Sequence, residues 1–409
     1  MTRRVVVTGM GCVSGLGGGL DETWHRLRAG DGAIRLRDVA QSDDGRPAVS
    51  GPSAPIAPGV IEAALAGRDL RRFGRLDPLS AHALAATIEA VASAGIDDHP
   101  SLADRTAIII GCGSPGNATI DAGYERLYGR GVAKVHPQTI SSSMISAPAS
   151  HIAMLLGVHG PAFVLASACA SSAHALGEAL HMVRSGRVDV AIAGGSEACL
   201  NLGSWVAWNS LGVLAPDTCR PFSIDRGGMV LGEGAGILVL EGEDHARARG
   251  AAILGELAGY GASCDAADMT APDQSGIERA IRAAHRDAGV AISHPLLIST
   301  HGTGTRLNDR VEAAALRAVY GDGLAGSTAI ATKSAHGHLI GATAAIEFIL
   351  GMQALAEGIA PPVLNHLGTD PECALPLALA KTPIKHDVLV SNSFAFGGLN
   401  AVLVGRKWA

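Results

Sequence analysis

Short apolar runs alternate with helical patterns along this chain, and that alternation restricts the possible folds more than any other sequence feature. Residues 162–168 and 188–193 have the composition of buried strands, and residues 170–183 between them have a helical pattern. Strands joined by a helix of this length pair in parallel, with the helix crossing over the sheet. The sequence therefore predicts an α/β fold around a sheet that contains parallel strands.

The order of predicted elements restarts after Gly250, which suggests a duplicated α/β unit. The first half has predicted strands at 4–8, 107–110, 162–168, 188–193 and 234–240, and predicted helices at 21–27, 148–156 and 170–183. The second half has predicted strands at 253–257, 296–300, 329–332, 388–393 and 401–404, and predicted helices at 276–288, 311–319 and 342–356. Residues 38–59, rich in Pro, Ser, Gly and Asp, predict a surface loop. We expect two similar halves, residues 1–249 and 250–409.

The bulk composition excludes several classes of protein. Hydrophobic residues make up 47% and charged residues 17% of the 409 residues, which favours a globular chain with a large core. The net charge is −6 and no basic run occurs, so we expect no nucleic-acid partner. Because the apolar run at residues 5–7 is too short for a signal sequence and no run of about 18 apolar residues occurs, we expect no membrane span and a cytoplasmic location. Seven Cys at irregular spacing, without a CxxC pair, predict reduced thiols and no metal site.

Cys169 lies where a predicted apolar strand turns into a predicted helix rich in small residues. The free N–H groups and the dipole at the start of a helix favour the thiolate form of a cysteine. Small neighbours also let a substrate carbonyl approach the backbone. A buried, unreactive thiol is the alternative, and the local pattern leaves both interpretations open.

Two histidines follow predicted strands in loops that contain glycine. His301 begins the sequence His-Gly-Thr-Gly-Thr, and His338 ends the sequence Lys-Ser-Ala-His-Gly-His that begins at Lys333. Active sites of α/β proteins lie at the carboxyl ends of strands. Lys333 and Glu347 could form a buried ion pair that orients the second loop, whereas His336 is more typical of a structural loop residue. Four polar residues after His301 are candidate supporting residues: Thr303, Thr305, Asp309 and Glu312.

A fourth loop, residues 392–400, contains Phe396 followed by two glycines. The glycines permit positive φ angles and expose backbone N–H groups, although a plain hairpin turn would use them in the same way. In this order, the four motifs resemble the β-ketoacyl-acyl carrier protein synthases of the elongating type. The resemblance spans nearly the whole chain and includes residues 4–11, 220–222 and 232–236. Residues 215–223 and 269–272 are similar to those of the nodulation-type ketosynthases, which make specialised acyl chains.

The resemblance implies a thiolase-like fold, with two mixed-sheet halves in a layered αβαβα arrangement, and a mechanism. Cys169 takes an acyl group from a carrier protein, and His301 and His338 assist decarboxylation of a malonyl thioester and stabilise the enolate. The backbone N–H groups of Cys169 and Phe396 hold the oxyanion, and Phe396 also gates the acyl pocket. Lys333 orients the His338 loop. No cofactor of its own is implied, because phosphopantetheine arrives on the carrier protein.

The partner that the resemblance implies is an acidic acyl carrier protein. Four basic residues are candidate contacts: Arg71, Arg72, Arg75 and Lys134. A solvated helix face is the alternative for this group. Members of the family are dimers, so a homodimer is the default, with a heterodimer containing a related subunit as the other arrangement.

Several positions depart from the usual family pattern. The family usually has Asp, an aromatic residue, Gly and Thr at the positions of Gly227, Met229, Ala395 and Leu399. Ser114 stands where a larger apolar residue often lines the acyl pocket, and Trp208 stands where another ring is common. A small polar Ser114 suggests an acyl chain that is long, functionalised or unsaturated.

Three other functions compete with an elongating synthase. A thiolase would need a second Cys near the C-terminus, and the loop around Phe396 has none. An initiating synthase would have Asn at the position of His338. A non-catalytic subunit that sets chain length would lack the nucleophile, whereas Cys169 is present. Labelling with a ketosynthase inhibitor would distinguish the last alternative.

Overall fold

A computed structural model describes residues 3–40, 49–97, 99 and 102–408. The strands are β1 (Val5–Ser14), β2 (Arg35–Ala40), β3 (Val49–Ala54), β4 (Thr106–Gly111), β5 (Ala162–Leu165), β6 (Val190–Glu197), β7 (Leu231–Gly232), β8 (Gly234–Gly242), β9 (Gly255–Cys264), β10 (Leu297–Ser299), β11 (Thr328–Ile330), β12 (Ile359–Ala360), β13 (Thr382–Pro383), β14 (Val388–Ala395) and β15 (Leu399–Arg406). The α-helices are α1 (Leu20–Ala29), α2 (Val60–Ala64), α3 (Pro78–Ala94), α4 (Asn117–Tyr124), α5 (Thr139–Ser143), α6 (Ala147–Leu156), α7 (Ser171–Arg184), α8 (Leu202–Ser210), α9 (Glu243–Ala248), α10 (Gln274–Ala288), α11 (Arg306–Tyr320), α12 (Lys333–His336) and α13 (Thr343–Glu357).

Two five-stranded sheets of identical topology form the framework. Ten strands follow one another in the order β11-β10-β14-β15-β9-β1-β8-β6-β4-β5. In the first half, β8 is antiparallel to both β1 and β6, and β4 is parallel to both β6 and β5. The second half repeats this pattern with β9, β15, β14, β10 and β11. The halves join through a short antiparallel contact between β1 and β9. The duplicated α/β unit inferred from element order is therefore visible in the strand pairing.

Helices α7 and α13 lie between the two sheets, because each of them contacts strands of both halves. Helices α3 and α6 cover the outer face of the first sheet, and α10 and α11 cover that of the second. Strand β4 contributes side chains to the cores on both faces of the first sheet. Ile109 faces the central core, whereas Ile108 and Ile110 face the core under α3, as the two-residue period of a strand requires. The resulting order of layers is αβαβα.

One helical stretch, Ile340–Glu357, is long and apolar enough to cross a membrane by length and composition alone. However, 83% of it is buried inside the protein. A helix packed between two sheets must be apolar on all sides, so the central position of α13 accounts for this composition.

The prediction of a loop over residues 38–59 is wrong for residues 38–40, which end β2, and for residues 49–54, which form β3. Strand β3 pairs antiparallel with β2 and parallel with β7, and residues 51–54 are buried. The Pro, Ser and Gly residues of β3 hide the alternation of apolar and polar residues that marks a strand. Close packing requires a small residue at Gly51. A Cβ atom at Gly51 would lie 2.2 Å from Cζ2 of Trp205. Residues 41–48 of the predicted loop lie outside the described residues.

Candidate active site

A cavity of about 250 Å³ opens where the two halves meet, and it is lined by Cys169, His301 and His338. The reactive atoms of these three side chains, Sγ and one ring nitrogen from each histidine, all lie within 4.8 Å of one another. The histidine rings are edge to face, with centroids 5.6 Å apart. A thiol and two imidazoles at this separation could ligate a metal ion, and they could equally act on one bound thioester.

The fold brings the three residues together through its duplication. Cys169 lies in a tight turn between β5 and α7, and His338 lies between the equivalent elements of the second half, β11 and α13. His301 follows β10. The turn that contains Cys169 packs against β14 and against the turn after His338. Ala168 has a φ of 49°, which is strained backbone for a residue with a Cβ atom and turns the Cys169 side chain out of the strand direction.

Cys169 is a neutral thiol in this site. It is only 6% exposed, and burial raises its pKa to about 12. The charge of Lys333 and the backbone N–H groups of Cys169 and Phe396 lower that pKa, whereas the charge of Glu197 raises it. Desolvation therefore outweighs the favourable dipoles at the helix N-terminus and favours the protonated thiol in the free enzyme.

The His301 loop is held by two buried carboxylates at its base. Glu312 accepts hydrogen bonds of 2.8 Å from the backbone N–H groups of both His301 and Gly302. Asp309 accepts hydrogen bonds from the N–H groups of Gly304, at 3.2 Å, and Phe222, at 2.7 Å. Burial raises the pKa of Glu312 to about 7 and that of Asp309 to about 6.

Two further predicted supporting residues lie on the cavity wall. Thr303 and Thr305 both line it, and their hydroxyl oxygens are 2.9 Å apart. Because they face the space beside His301 and Cys169, they can hydrogen-bond to a substrate there.

His338 presents its Nε2 atom to the cavity. Its Nδ1 atom accepts a hydrogen bond of 3.2 Å from the backbone N–H of Ile340, and the Thr343 hydroxyl lies 2.9 Å from the same nitrogen. In a neutral ring, this assigns the proton to Nε2, which is buried without a hydrogen-bond partner among the described residues. Burial, and next the charge of Lys333, hold the pKa of both His301 and His338 well below the usual range. The two rings are therefore neutral hydrogen-bond donors.

Lys333 and Glu347 form an ion pair that is buried from water on both sides, at 0% and 1% exposure. The Lys333 ammonium lies 2.9 Å from each Glu347 oxygen and also donates to the His301 carbonyl. One lysine thereby ties the His301 loop to α13. His336 hydrogen-bonds within its own loop, to Gly337 O and to the Thr332 hydroxyl, and is structural.

Of the three residues predicted to gate or line the acyl pocket, two line the cavity and one does not. Phe396 and Trp208 both line the cavity, with stacked rings whose centroids are 6.0 Å apart at an angle of 27°. Ser114 does not line this cavity, because its hydroxyl donates a hydrogen bond to the buried Glu197. Its role in binding the acyl chain stays a prediction.

The four departures from the family pattern have different surroundings. Ala395 and Leu399 face each other across the turn after Phe396, where two glycines have φ of 84° and 69°. Met229 lines the cavity, and Gly227 does not.

The candidate carrier-protein contacts fall into two groups. Arg75 and Lys134 line one surface cleft of about 530 Å³. That cleft has three further basic residues, which the sequence analysis missed: Arg126, Arg130 and His136. By contrast, Arg71 forms an exposed ion pair with Asp69, and Arg72 lies over the ring of Phe73.

Glu197 is the main site residue that sequence reasoning missed. It is fully buried at the end of β6, and its charge acts on Cys169. The available signal was a carboxylate three positions after the apolar run 190–194, because a buried acid needs partners to be retained.

Comparisons with known proteins agree on one family. Residues 2–246 match the family described as beta-ketoacyl synthase, N-terminal domain, and residues 254–366 match the beta-ketoacyl synthase C-terminal domain. The chain is 40% identical over 411 residues to nodulation protein E of Rhizobium sp. (strain N33), covering all of both chains. It is 37% identical to 3-oxoacyl-[acyl-carrier-protein] synthase 2 of Rhizobium meliloti (strain 1021), covering 99% of each.

Two solved structures extend the comparison to the fold. A structure of the ishigamide ketosynthase/chain length factor superposes with a TM-score of 0.91 at 36% identity, covering all of both chains. A type II polyketide synthase acyl-carrier protein in complex with its ketosynthase, AntDE:AntF, contains a chain that superposes with a TM-score of 0.87 at 29% identity, again covering all of both chains.

Proposed function

The chain belongs to the β-ketoacyl synthase family, and on that premise we propose which of its residues perform each step of the condensation. The family reaction is a decarboxylative Claisen condensation between an enzyme-bound acyl group and malonyl-acyl carrier protein during chain elongation. The observation that supports our assignment is the convergence of Cys169, His301 and His338 on one cavity, with their reactive atoms within 4.8 Å.

In the first step, Cys169 accepts the acyl group. Its sulfur forms a bond to the thioester carbonyl carbon, the bond from that carbon to the pantetheine sulfur breaks, and the thiol proton passes to the departing sulfur. Because the pKa of Cys169 is about 12, the proton must leave as the carbonyl is attacked. The N–H groups of Cys169 and Phe396 already lie beside the sulfur, so they can donate to the carbonyl oxygen on which the oxyanion develops.

In the second step, malonyl-acyl carrier protein loses CO₂. The electron pair of the broken C–C bond delocalises onto the thioester oxygen, which accepts hydrogen bonds from the neutral rings of His301 and His338. The resulting carbanion forms the new C–C bond with the acyl carbonyl carbon, the bond from that carbon to the Cys169 sulfur breaks, and the released thiolate takes up a proton from water. Neutral donors suit this step, since an imidazolium would protonate the carbanion.

Mass spectrometry of the intact protein tests these roles. Incubation with an acyl carrier thioester should add one acyl group to the wild type and none to Cys169→Ala. The His338→Ala variant should still be acylated but should release β-ketoacyl product about 10²–10³-fold more slowly, the usual effect of losing one oxyanion donor. Acylation of Cys169→Ala at the wild-type rate would contradict the assignment of the nucleophile.

The partner surface we propose is the basic cleft that contains Arg75 and Lys134, since an acidic carrier protein would be attracted to it. The solved structure of an acyl-carrier protein in complex with its ketosynthase supports such a complex for this chain. We propose that no cofactor is bound permanently and that phosphopantetheine enters on the carrier protein.

For the second subunit, we propose a dimer formed through the open edge of β5. Within the described chain, β5 has a partner strand on one side only. Three exposed apolar residues lie on or directly after helices α5 and α6: Ile140, Met144 and Met154, which are 74%, 44% and 42% exposed. A homodimer is our default assignment. Light scattering of the chain alone tests this, and a monomer that dimerises only with a co-expressed related subunit would favour the heterodimer, which the ketosynthase and chain length factor structures make a reasonable alternative.

For the substrate, we keep the hypothesis that the small polar Ser114 accepts a long, functionalised or unsaturated acyl chain. Competition between saturated and polyene acyl carriers of several lengths tests it, and a preference for short saturated chains would contradict it. We propose a cytoplasmic location, in keeping with six buried free cysteines and one exposed one.

A further inference from the structure

Glu197 is a buried carboxylate that no step of the proposed mechanism uses. It occupies the last position of β6, which corresponds in the second half to the last position of β14, next to Phe396. The duplication therefore brings Glu197 to the same meeting point of strand ends as the catalytic residues. A fully buried acid is costly unless its hydrogen bonds are satisfied, so its contacts indicate what it does.

The contacts of Glu197 bridge the two halves of the protein. Its Oε2 atom accepts a hydrogen bond of 2.9 Å from the backbone N–H of Gly113, which follows β4, and one of 3.0 Å from Gly341, which follows His338. Its Oε1 atom accepts from the Ser114 hydroxyl. The two backbone segments are very close, since a Cβ atom at Gly341 would lie 2.1 Å from Gly113 N. Glu197 thus holds a close approach that only glycines allow.

The segment that Glu197 holds also orients His338. Ile340 has a φ of 41°, a strained conformation for a branched residue, and it persists only if its surroundings fix it. Its N–H is the donor that keeps Nδ1 of His338 an acceptor and so directs the Nε2 proton to the cavity. The hydrogen bond from Gly341 to Glu197 fixes the next residue of this strained turn.

We propose that Glu197 is a positioning residue of the catalytic centre, which holds the strained turn that orients His338 and brings a negative charge near the Cys169 thiol, because the turn that contains Cys169 packs against the turn that Glu197 holds. The role toward His338 rests on the proposed function, whereas the effect on the thiol does not. The pKa of Glu197, raised to about 7 by burial, makes this charge dependent on pH near neutrality.

The variant Glu197→Gln separates the charge from the contacts. Its carbonyl oxygen can accept from both N–H groups and its amide can donate to Ser114, so all three hydrogen bonds can persist without the charge. Three other ionisable groups lie near Glu197 and stay in place: His82, Cys112 and Cys199. Because these groups and Glu312 are present in both proteins, their effects on the rate of Cys169 alkylation cancel when the variant rate is divided by the wild-type rate.

The first experiment measures alkylation of Cys169 by iodoacetamide against pH, quantified on the peptide that contains it. Ionised Glu197 raises the thiol pKa, so it suppresses the thiolate only above the pKa of the carboxyl. The Glu197→Gln rate divided by the wild-type rate should be near one at about pH 5.5 and at least about threefold by about pH 9, corresponding to half a pKa unit at the thiol. A ratio that is constant with pH, or one that falls, would overturn the proposal.

A matched control is Glu89→Gln. Glu89 is also a mostly buried carboxylate with a raised pKa, and it accepts hydrogen bonds from the N–H groups of Cys12 and Leu20, away from the cavity. The alkylation rate of Cys169 in Glu89→Gln, divided by the wild-type rate, should not change with pH. If it rose like that of Glu197→Gln, the effect would belong to any buried acid and the proposal would fail.

The second experiment tests the contacts with Glu197→Ala, compared with Glu197→Gln. Malonyl decarboxylation, which depends on His338, should fall at least about tenfold in the Ala variant and stay within about threefold in Gln, since one catalytic hydrogen bond is worth at least that factor. Equal losses in both variants would overturn the positioning role. If Glu197→Ala does not fold, the pH dependence of Cys169 alkylation in Glu197→Gln still tests the role of the charge. Wild-type enzyme that alkylates normally but never condenses would refute the proposed function alone.

Discussion

Replacing Lys333 by Met tests two effects of its buried ion pair with Glu347: the contribution of the pair to folding stability and the effect of the Lys333 charge on the pKa of Cys169. The variant leaves the Glu347 carboxylate without its cation at a site with 0–1% exposure and removes a donor to the His301 carbonyl. Breaking a buried pair from one side typically costs about 3–5 kcal/mol. With an unfolding entropy of about 2.1 cal/mol/K per residue, 409 residues give roughly 0.9 kcal/mol per degree, so the melting temperature should fall by about 4–6 °C.

The double variant Lys333→Met with Glu347→Met provides the critical comparison. An apolar pair of similar volume leaves no unpaired charge, so most of the lost melting temperature should return. Thiol reactivity should not return, because the charge of Lys333 lowers the pKa of Cys169 and that charge is absent from both variants. Both should therefore alkylate more slowly than the wild type at a fixed pH below the thiol pKa.

Scanning calorimetry and alkylation of the Cys169 peptide measure the two effects independently. A double variant as unstable as the single one would refute the idea that an unpaired Glu347 causes the loss. A double variant that alkylates at the wild-type rate would show that the Lys333 charge does not act on the thiol.

Three further results are expected. Trp208→Leu should speed acylation of Cys169 by a bulky acyl carrier about two- to tenfold, because the stacked pair holds Phe396 in place with about 0.5–1.5 kcal/mol, and Trp208→Phe should not. Charge reversal of Arg75 and Lys134 should raise the KM for carrier-bound substrate about tenfold and weaken its salt dependence without changing the KM for a pantetheine thioester. The pKa of Glu312, raised to about 7, means that its neutral form stabilises the fold fully below its ordinary pKa of 4.5 and that this contribution is lost as pH rises through 7. The unfolding free energy from urea titrations should therefore fall between about pH 4.5 and 7, and fall less in Glu312→Gln.

Much of the fold was predictable because its signals are local. The apolar run 107–110 lies within β4, and the restart after Gly250 corresponds to the repeated strand order of the second sheet. Strand β3 was not predicted because its small residues meet a packing requirement against Trp205, and such a requirement produces no periodic pattern in the sequence.

The candidate site divides in the same way. Cys169, His301 and His338 each carry a local mark, a reactive side chain beside small residues where a strand ends. Their meeting within 4.8 Å, by contrast, depends on packing two halves that are distant in sequence. The hydrogen bond that turns Ser114 toward Glu197 likewise joins residues 83 positions apart.

The sequence by itself determined the class of fold and the identity of the reacting groups, since strand and helix periods and turn residues act over a few neighbours. Only the tertiary structure decided their chemical states. Cys169 is a neutral thiol with a pKa of about 12, His301 and His338 are neutral donors, and Glu197 is an acid that titrates near pH 7. Each of these states follows from desolvation between the two sheets and from charges brought close by folding, which no local pattern encodes.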